Sequence, residues 1–276
     1  MHFCISHFAH FAQLFRSLFA PLGLLALIAC SGCGSTNWTA ADQRTKTPPS
    51  VADATLSTPK VLLFVGNGTS SGDVSAVKTI LGELGLSYAT ATSSQLNSMS
   101  ETRIRAYRLF LMPGGNAVTI SRYLTRTTTT NIHNAIVNGG MHYLGICAGA
   151  FFAGHSTYNY LSLAGTWFNF YPEYFSGVRK AAFEIHSANG ITLDQYWQDG
   201  PELKGFGEVV GKYPDGIPAV VETHVGNGWV ILSGVHPEAP ASWRYGMNFT
   251  TPVSADNAYA KTLVTAALNG TSLPHF

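Results

Sequence analysis

The residues of this chain best suited to chemistry are Cys147 and a His-Pro-Glu triplet at His236, Pro237 and Glu238. Cys147 lies within Met141-His-Tyr-Leu-Gly-Ile-Cys147-Ala-Gly-Ala-Phe151, which reads as a buried strand, a corner flanked by glycines, and a helix. A nucleophile on a tight strand-to-helix corner is the geometry of a nucleophile elbow. Gly145 and Gly149 remove Cβ atoms that would clash at such a corner. The following helix offers unpaired N–H groups whose dipole favours a thiolate. The same residues also fit a Gly-rich turn around an inert, buried cysteine, and the triplet downstream weighs against that reading. In an extended segment, residues two apart face one side, and Pro237 should hold the segment extended. His236 and Glu238 then present an imidazole and a carboxylate together, and the carboxylate fixes the ring tautomer and stabilises the imidazolium. His236 can take the proton of Cys147 and return it to a leaving group. Acyl transfer also needs donors for an oxyanion. The N–H of Ala148 and one from Gly114-Gly115, with Gly115 favoured, are the candidates.

Such residues need elements to position them. Val61–Val65, Leu109–Met112 and Met141–Ile146 are continuously apolar runs, the mark of strands covered on both faces. Between them lie helical stretches, with Asp73 expected to cap a helix over Val74–Leu84 and Ser100 a short one. Gly139 suits the left-handed position that ends the helix before Cys147. Strands alternating with helices predict an α/β fold with a mostly parallel sheet and helices on both faces. In such sheets the site lies beyond the carboxyl ends of the strands. The loops holding Gly66 and Gly68, Gly114 to Asn116, and Cys147 all fall there. Gly66, Gly68, Gly114 and Asn116 are therefore expected in the site wall. Val225-Gly-Asn227-Gly228 between two β-rich runs predicts a hairpin with a type I′ turn. Asp256–Ala267 reads as a closing helix with Gly270 at its end. Residues 156–205 are aromatic-rich and read as irregular cover with short hairpins. Within them Glu173, Arg179, Glu184 and His186 read as surface or internally satisfied polar groups.

With 276 residues, 46% hydrophobic and 11% charged, the chain can bury a substantial core. Its formal net charge of +1 argues against a nucleic-acid partner. Residues 1–29 hold no acidic residue and a single arginine, Arg16, before an apolar run from Leu18. That run is too short to span a bilayer and suits the core of a signal peptide. Leu27-Ile-Ala-Cys30 resembles the lipobox of bacterial lipoproteins, which implies cleavage before Cys30 and a lipid on that cysteine. An ordinary cleaved signal is the alternative. Residues 30–58 read as a flexible tether and 59–276 as the folded domain. Cys147 is the only one of the four cysteines within that domain.

Three motifs in order carry a further resemblance: Met112-Pro-Gly-Gly-Asn116, Tyr143-Leu-Gly-Ile-Cys-Ala-Gly-Ala-Phe-Phe-Ala153 and Leu232-Ser-Gly-Val-His-Pro-Glu238. They resemble the class I glutamine amidotransferase-like domain at the N-terminus of biotin–protein ligases, over roughly residues 60 to 240. The resemblance implies a flavodoxin-like fold, Cys147 as nucleophile, His236 and Glu238 as its partners, and Gly115 and Ala148 at the oxyanion hole. It calls for no cofactor and no metal. Glutamine-hydrolysing relatives carry Gln where this chain has Phe151, so glutamine itself is not the expected substrate. The ligase motif Gly-Arg-Gly is absent, so biotinylation by this chain is not expected. The expectation is an envelope-anchored cysteine hydrolase at the outer membrane, facing the periplasm and acting on a small-molecule or peptide-like acyl substrate. The alternative is a non-catalytic binding or scaffold module that keeps the elbow for folding.

Overall fold

The structure is a computed structural model and describes residues 60–276. The leader, Cys30 and the tether lie outside the described residues. Strands β1 (Val61–Phe64), β3 (Leu109–Met112) and β4 (His142–Ile146) are buried along their whole length. Their side chains alternate between two apolar layers: Leu62, Phe64, Phe110 and Tyr143 enter one, and Val61, Leu63, Leu111 and Leu144 the other. Helices α1 (Ser71–Glu83) and α7 (Val253–Asn269) cover the second layer through Val77, Ile80, Ala260 and Leu263. The first layer is covered by the short α2 (Ser93–Asn97) and α3 (Glu101–Arg105), then α4 (Ala117–Tyr123), α5 (Arg126–Val137) and α6 (Ala148–Ala153). Burial on both faces is why these strands carry no polar alternation.

The sheet corrects the expectation of a mostly parallel arrangement. With β2 (Tyr88–Ala91), β5 (Lys180–Ser187), β6 (Thr192–Gln198), β7 (Glu208–Lys212), β8 (Pro218–Val225) and β9 (Gly228–Ser233), its order is β2-β1-β3-β4-β9-β8-β7-β5-β6. The strands from β2 to β9 in that order pair in parallel, and every pairing beyond β9 is antiparallel. The reason lies in the connections. Helical crossovers join the parallel strands β1 to β4, and β4 reaches β9 only through the whole antiparallel segment, whereas β5 to β9 follow one another through helix-free connections too short for parallel crossovers. The antiparallel half then curls back. Tyr196 of β6 forms a bridge with His236, just beyond β9, and its carbonyl accepts the His236 N–H at 2.8 Å.

Two local expectations also change. The hairpin pairs Val225 with Gly228, so its loop is Gly226-Asn227, and Gly226 has φ +58° whereas Asn227 is not left-handed. A positive φ at the first central residue alone is the type II′ pattern, not I′. After α5 the left-handed residue is Gly140, φ +72°. Gly139 instead allows a close approach, since a Cβ there would meet the Ala135 carbonyl at 2.5 Å. Helix α7 does close at a left-handed Gly270.

Candidate active site

Cys147 occupies the corner between β4 and α6 with φ 49° and ψ −103°, a backbone conformation that costs a non-glycine residue about 1–3 kcal/mol. Hydrogen bonds hold it there: its N–H donates to the Ser233 carbonyl at 2.8 Å, and its own carbonyl accepts from Phe151 N–H at 3.0 Å. Both flanking glycines are required by contact. A Cβ on Gly149 would lie 2.1 Å from the Met112 carbonyl oxygen, and one on Gly145 would lie 2.6 Å from that of Gly149.

Because β9 is the parallel neighbour of β4, with Ser233 opposite Ile146, the chain leaving β9 emerges beside Cys147. It does not stay extended. His236 to Ala239 form a turn closed by Ala239 N–H donating to the His236 carbonyl at 3.1 Å. The turn still joins the two side chains, with His236 Nδ1 donating to Glu238 Oε1 at 3.0 Å. Glu238 is sealed beneath α1 and α7 among Val77, Ile80, Ile146 and Leu263. Burial there raises its carboxyl above the usual range, although His236 pulls the other way.

Asp73 was expected to be a helix cap, and the structure gives it another place. Ser70 caps α1, its hydroxyl accepting the Asp73 N–H. This frees the Asp73 side chain to turn inward. Its Oδ1 lies 3.1 Å from His236 Nδ1, off the line of the N–H that Glu238 receives, and takes no hydrogen bond of its own. Burial opposes ionisation of Asp73, yet the charge and proximity of His236 hold its carboxyl below the usual value. For His236, burial pushes the pKa down, but Cys147, Glu238 and Asp73 together outweigh burial and raise it well above the ordinary value. Asp73, His236 and Glu238 also offer ligand atoms within 4.8 Å of one another. The direct His236–Glu238 hydrogen bond already accounts for that approach.

Cys147 and His236 line the same cleft, but the thiol does not donate to the imidazole. It donates to the Gln198 carbonyl, 3.6 Å away. Gly115 (φ +145°) also lines the cleft, and Ala148 opens α6. Among the described residues neither of their N–H groups donates to another backbone acceptor. Asn116 lines the cleft and caps α4 through its side chain. Gly114 packs against the imidazole, where a Cβ would meet His236 Cε1 at 2.7 Å. Gly66 and Gly68, expected in the wall, are not there. Gly66 packs on Phe64 and Ser93, and Gly68 underlies the start of α4 at Ile120. From that loop it is Ser70, Gly72 and Asp73 that reach the cleft.

The remaining walls come from the stretch read as cover. Phe170, Tyr174 and Arg179 line the cleft, as do Tyr196 on β6 and Trp243. Tyr196 and Trp243 set their rings against His236, with centroids 5.7 and 5.8 Å away. Trp243 is fixed by its neighbour Arg244, which pairs with buried Asp256 and donates to the Thr251 carbonyl at 2.7 Å. Arg179 is exposed and paired with Asp199, as a surface or satisfied polar group should be, and it also stands on the rim of the cleft.

A mixed sheet whose parallel half is covered by helices on both faces, with a cysteine on the corner after its central strand, fits the glutamine amidotransferase-like class. Similarity to solved structures supports that fold. A crystal structure of a glutamine amidotransferase aligns with TM-score 0.55 at 16% identity, covering 75% of this chain and 98% of its own. One from Thermotoga maritima aligns with TM-score 0.50 at 14% identity, covering 77% and 98%. Within that class, the family model for the N-terminal domain of biotin–protein ligase matches residues 59–198, and the chain belongs to this family. No curated protein matches it in sequence.

Proposed function

We propose that the domain is a cysteine hydrolase of the glutamine amidotransferase-like class, cleaving an amide or other acyl bond. The observation that carries this reading is the His236 ring, hydrogen-bonded through Nδ1 to a buried Glu238 and facing the same cleft as a strained Cys147. With Nδ1 committed to Glu238, Nε2 is the atom left to exchange protons with Cys147. The thiolate attacks the substrate carbonyl, and the N–H groups of Ala148 and Gly115 receive the oxyanion. His236 then protonates the leaving amine or alcohol, the C–N or C–O bond breaks, and a thioester remains. Water, giving its proton to His236, hydrolyses that thioester to the acid and restores the thiol. The negative groups around His236 favour the imidazolium that exists after Cys147 has lost its proton. The thiol must first leave the Gln198 carbonyl, and such contacts commonly form only with substrate bound.

The same Cys147–Gln198 hydrogen bond favours a second reading, a binding or scaffold module in which the thiol is parked. Alkylation separates the two. A hydrolase predicts iodoacetamide labelling of Cys147 much faster than free cysteine and slower labelling in His236→Ala, together with turnover of some member of an amide and ester panel that Cys147→Ala abolishes. Equal labelling of wild type and His236→Ala, with no turnover, supports the scaffold.

The proposal extends to location. A lipid on Cys30 would tether the domain to the envelope membrane, facing the periplasm, supported by the lipobox-like Leu27-Ile-Ala-Cys30. Incorporation of labelled palmitate into the wild type but not into Cys30→Ser tests it. Among the described residues no helix is long and apolar enough to cross a membrane.

A further inference from the structure

The cleft is much larger than a side-chain amide requires. Its volume of about 960 Å³ stands near the top of the ~300–1,000 Å³ range of small-molecule sites. An aromatic wall runs along it from the nucleophile outward. Phe151, one turn after Cys147, meets Phe170 edge-on at 5.0 Å. Phe170 stacks on Tyr174 at 4.1 Å, and the Arg179 guanidinium lies 4.6 Å above the Tyr174 ring.

The charges around this wall are not balanced. Arg179 is neutralised by Asp199, which accepts from it at 2.7 and 2.5 Å. Asp73 faces His236. Lys180 also lines the cleft, and among the described residues it has no carboxylate partner. Strand register fixes its place: Lys180 is opposite Gln198, whose carbonyl accepts the Cys147 thiol, and Ala182, two residues on, is opposite Tyr196. Cross-strand partners share a face and lie about 5 Å apart. Lys180 therefore projects from the roof on the face that carries Tyr196, beside the nucleophile. Its exposed side chain has the length to bring the ammonium over the cleft.

We propose that the cleft takes acyl compounds with an aryl or extended apolar body and a carboxylate, the body lying along Phe151, Phe170 and Tyr174 and the carboxylate held by Lys180. This rests on the hydrolase reading for the reaction, but the subsite is a matter of binding and is tested without turnover. Trp167 and Trp243 line the cleft, so tryptophan fluorescence reports occupancy. The probes are 4-acetamidobenzoate and its uncharged counterpart acetanilide. Wild type should bind the carboxylate at least about tenfold more tightly than acetanilide. Lys180→Arg should keep that preference and Lys180→Glu should abolish or reverse it, with thermal unfolding unchanged in both variants. Equal affinities in wild type, a preference that survives Lys180→Glu, or no binding of either compound at millimolar concentration overturns the proposal. A protein that shows the preference but turns over no amide or ester refutes the hydrolase and keeps the subsite. Turnover without the preference does the reverse.

Discussion

The two halves of the sheet do different work. The parallel half supplies the Cys147 corner, the proposed oxyanion donors at Gly115 and Ala148, and the His236–Glu238 pair, all beyond the carboxyl ends of its strands. The antiparallel half supplies no reacting group. Its strands, the segment before them and the one around Trp243 build the aromatic wall beyond Phe151, the cation at Lys180 and the roof over the thiol. Reactivity is thus assigned to one half and selectivity to the other. Changes in the first should alter labelling of Cys147 by every electrophile, and changes in the second should alter which molecule is preferred.

The harshest test is Cys147→Ala, which should remove all site-specific alkylation and any hydrolysis while leaving the fold intact, as read by mass spectrometry and circular dichroism. Arg244→Ala comes next. It leaves Asp256 buried without its partner, a loss of about 3–5 kcal/mol, measurable by urea unfolding, and it releases Trp243. If Arg244→Ala slowed iodoacetamide labelling as much as it weakened acetanilide binding, the division between the halves would fail. Gly149→Ala drives a Cβ into the Met112 carbonyl and should cost about 1–3 kcal/mol, with labelling slowed for small and large electrophiles alike. Asp73→Asn removes a negative neighbour that helps to raise the His236 pKa. His236 should then lose its proton at lower pH than in wild type, followed by ring nitrogen chemical shifts. An unchanged titration would remove Asp73 from the site. The smallest effect is expected from Phe170→Ala, where labelling by iodoacetamide should stay within about twofold while acetanilide affinity falls about three- to tenfold.

The sequence makes the first half legible and the second largely opaque, for physical reasons. Glycines beside Cys147 and the spacing of His236 and Glu238 are local signals, since contacts within a few residues enforce them. Parallel strands buried on both faces announce themselves as unbroken apolar runs. Asp73 shows the limit. An acidic residue at the start of a helix carries a strong local meaning, and nothing nearby reveals that Ser70 takes the capping role while Asp73 turns toward a histidine on the far side of the chain's path. In β5 and β6, polar and aromatic residues alternate irregularly because one face packs on the core and the other faces a cleft. Arg179 and Lys180 acquire meaning only through the register with Asp199 and Gln198, which no local pattern encodes. The antiparallel pairing of the second half follows from the lack of crossover helices between β5 and β9.

Among the backbone hydrogen bonds that join the halves, one reaches the site itself: the Tyr196 carbonyl of β6 holds the His236 N–H at 2.8 Å. A ligand that pried β6 outward by a fraction of an ångström would carry His236 with it, as a latch moves with its door. A substitution that displaces Tyr196 is therefore the exception to the division between the halves, acting on what the pocket accepts and on His236 together. Lineages that diversify this scaffold are freest to do so along Phe170 and Tyr174, which stand clear of that tie.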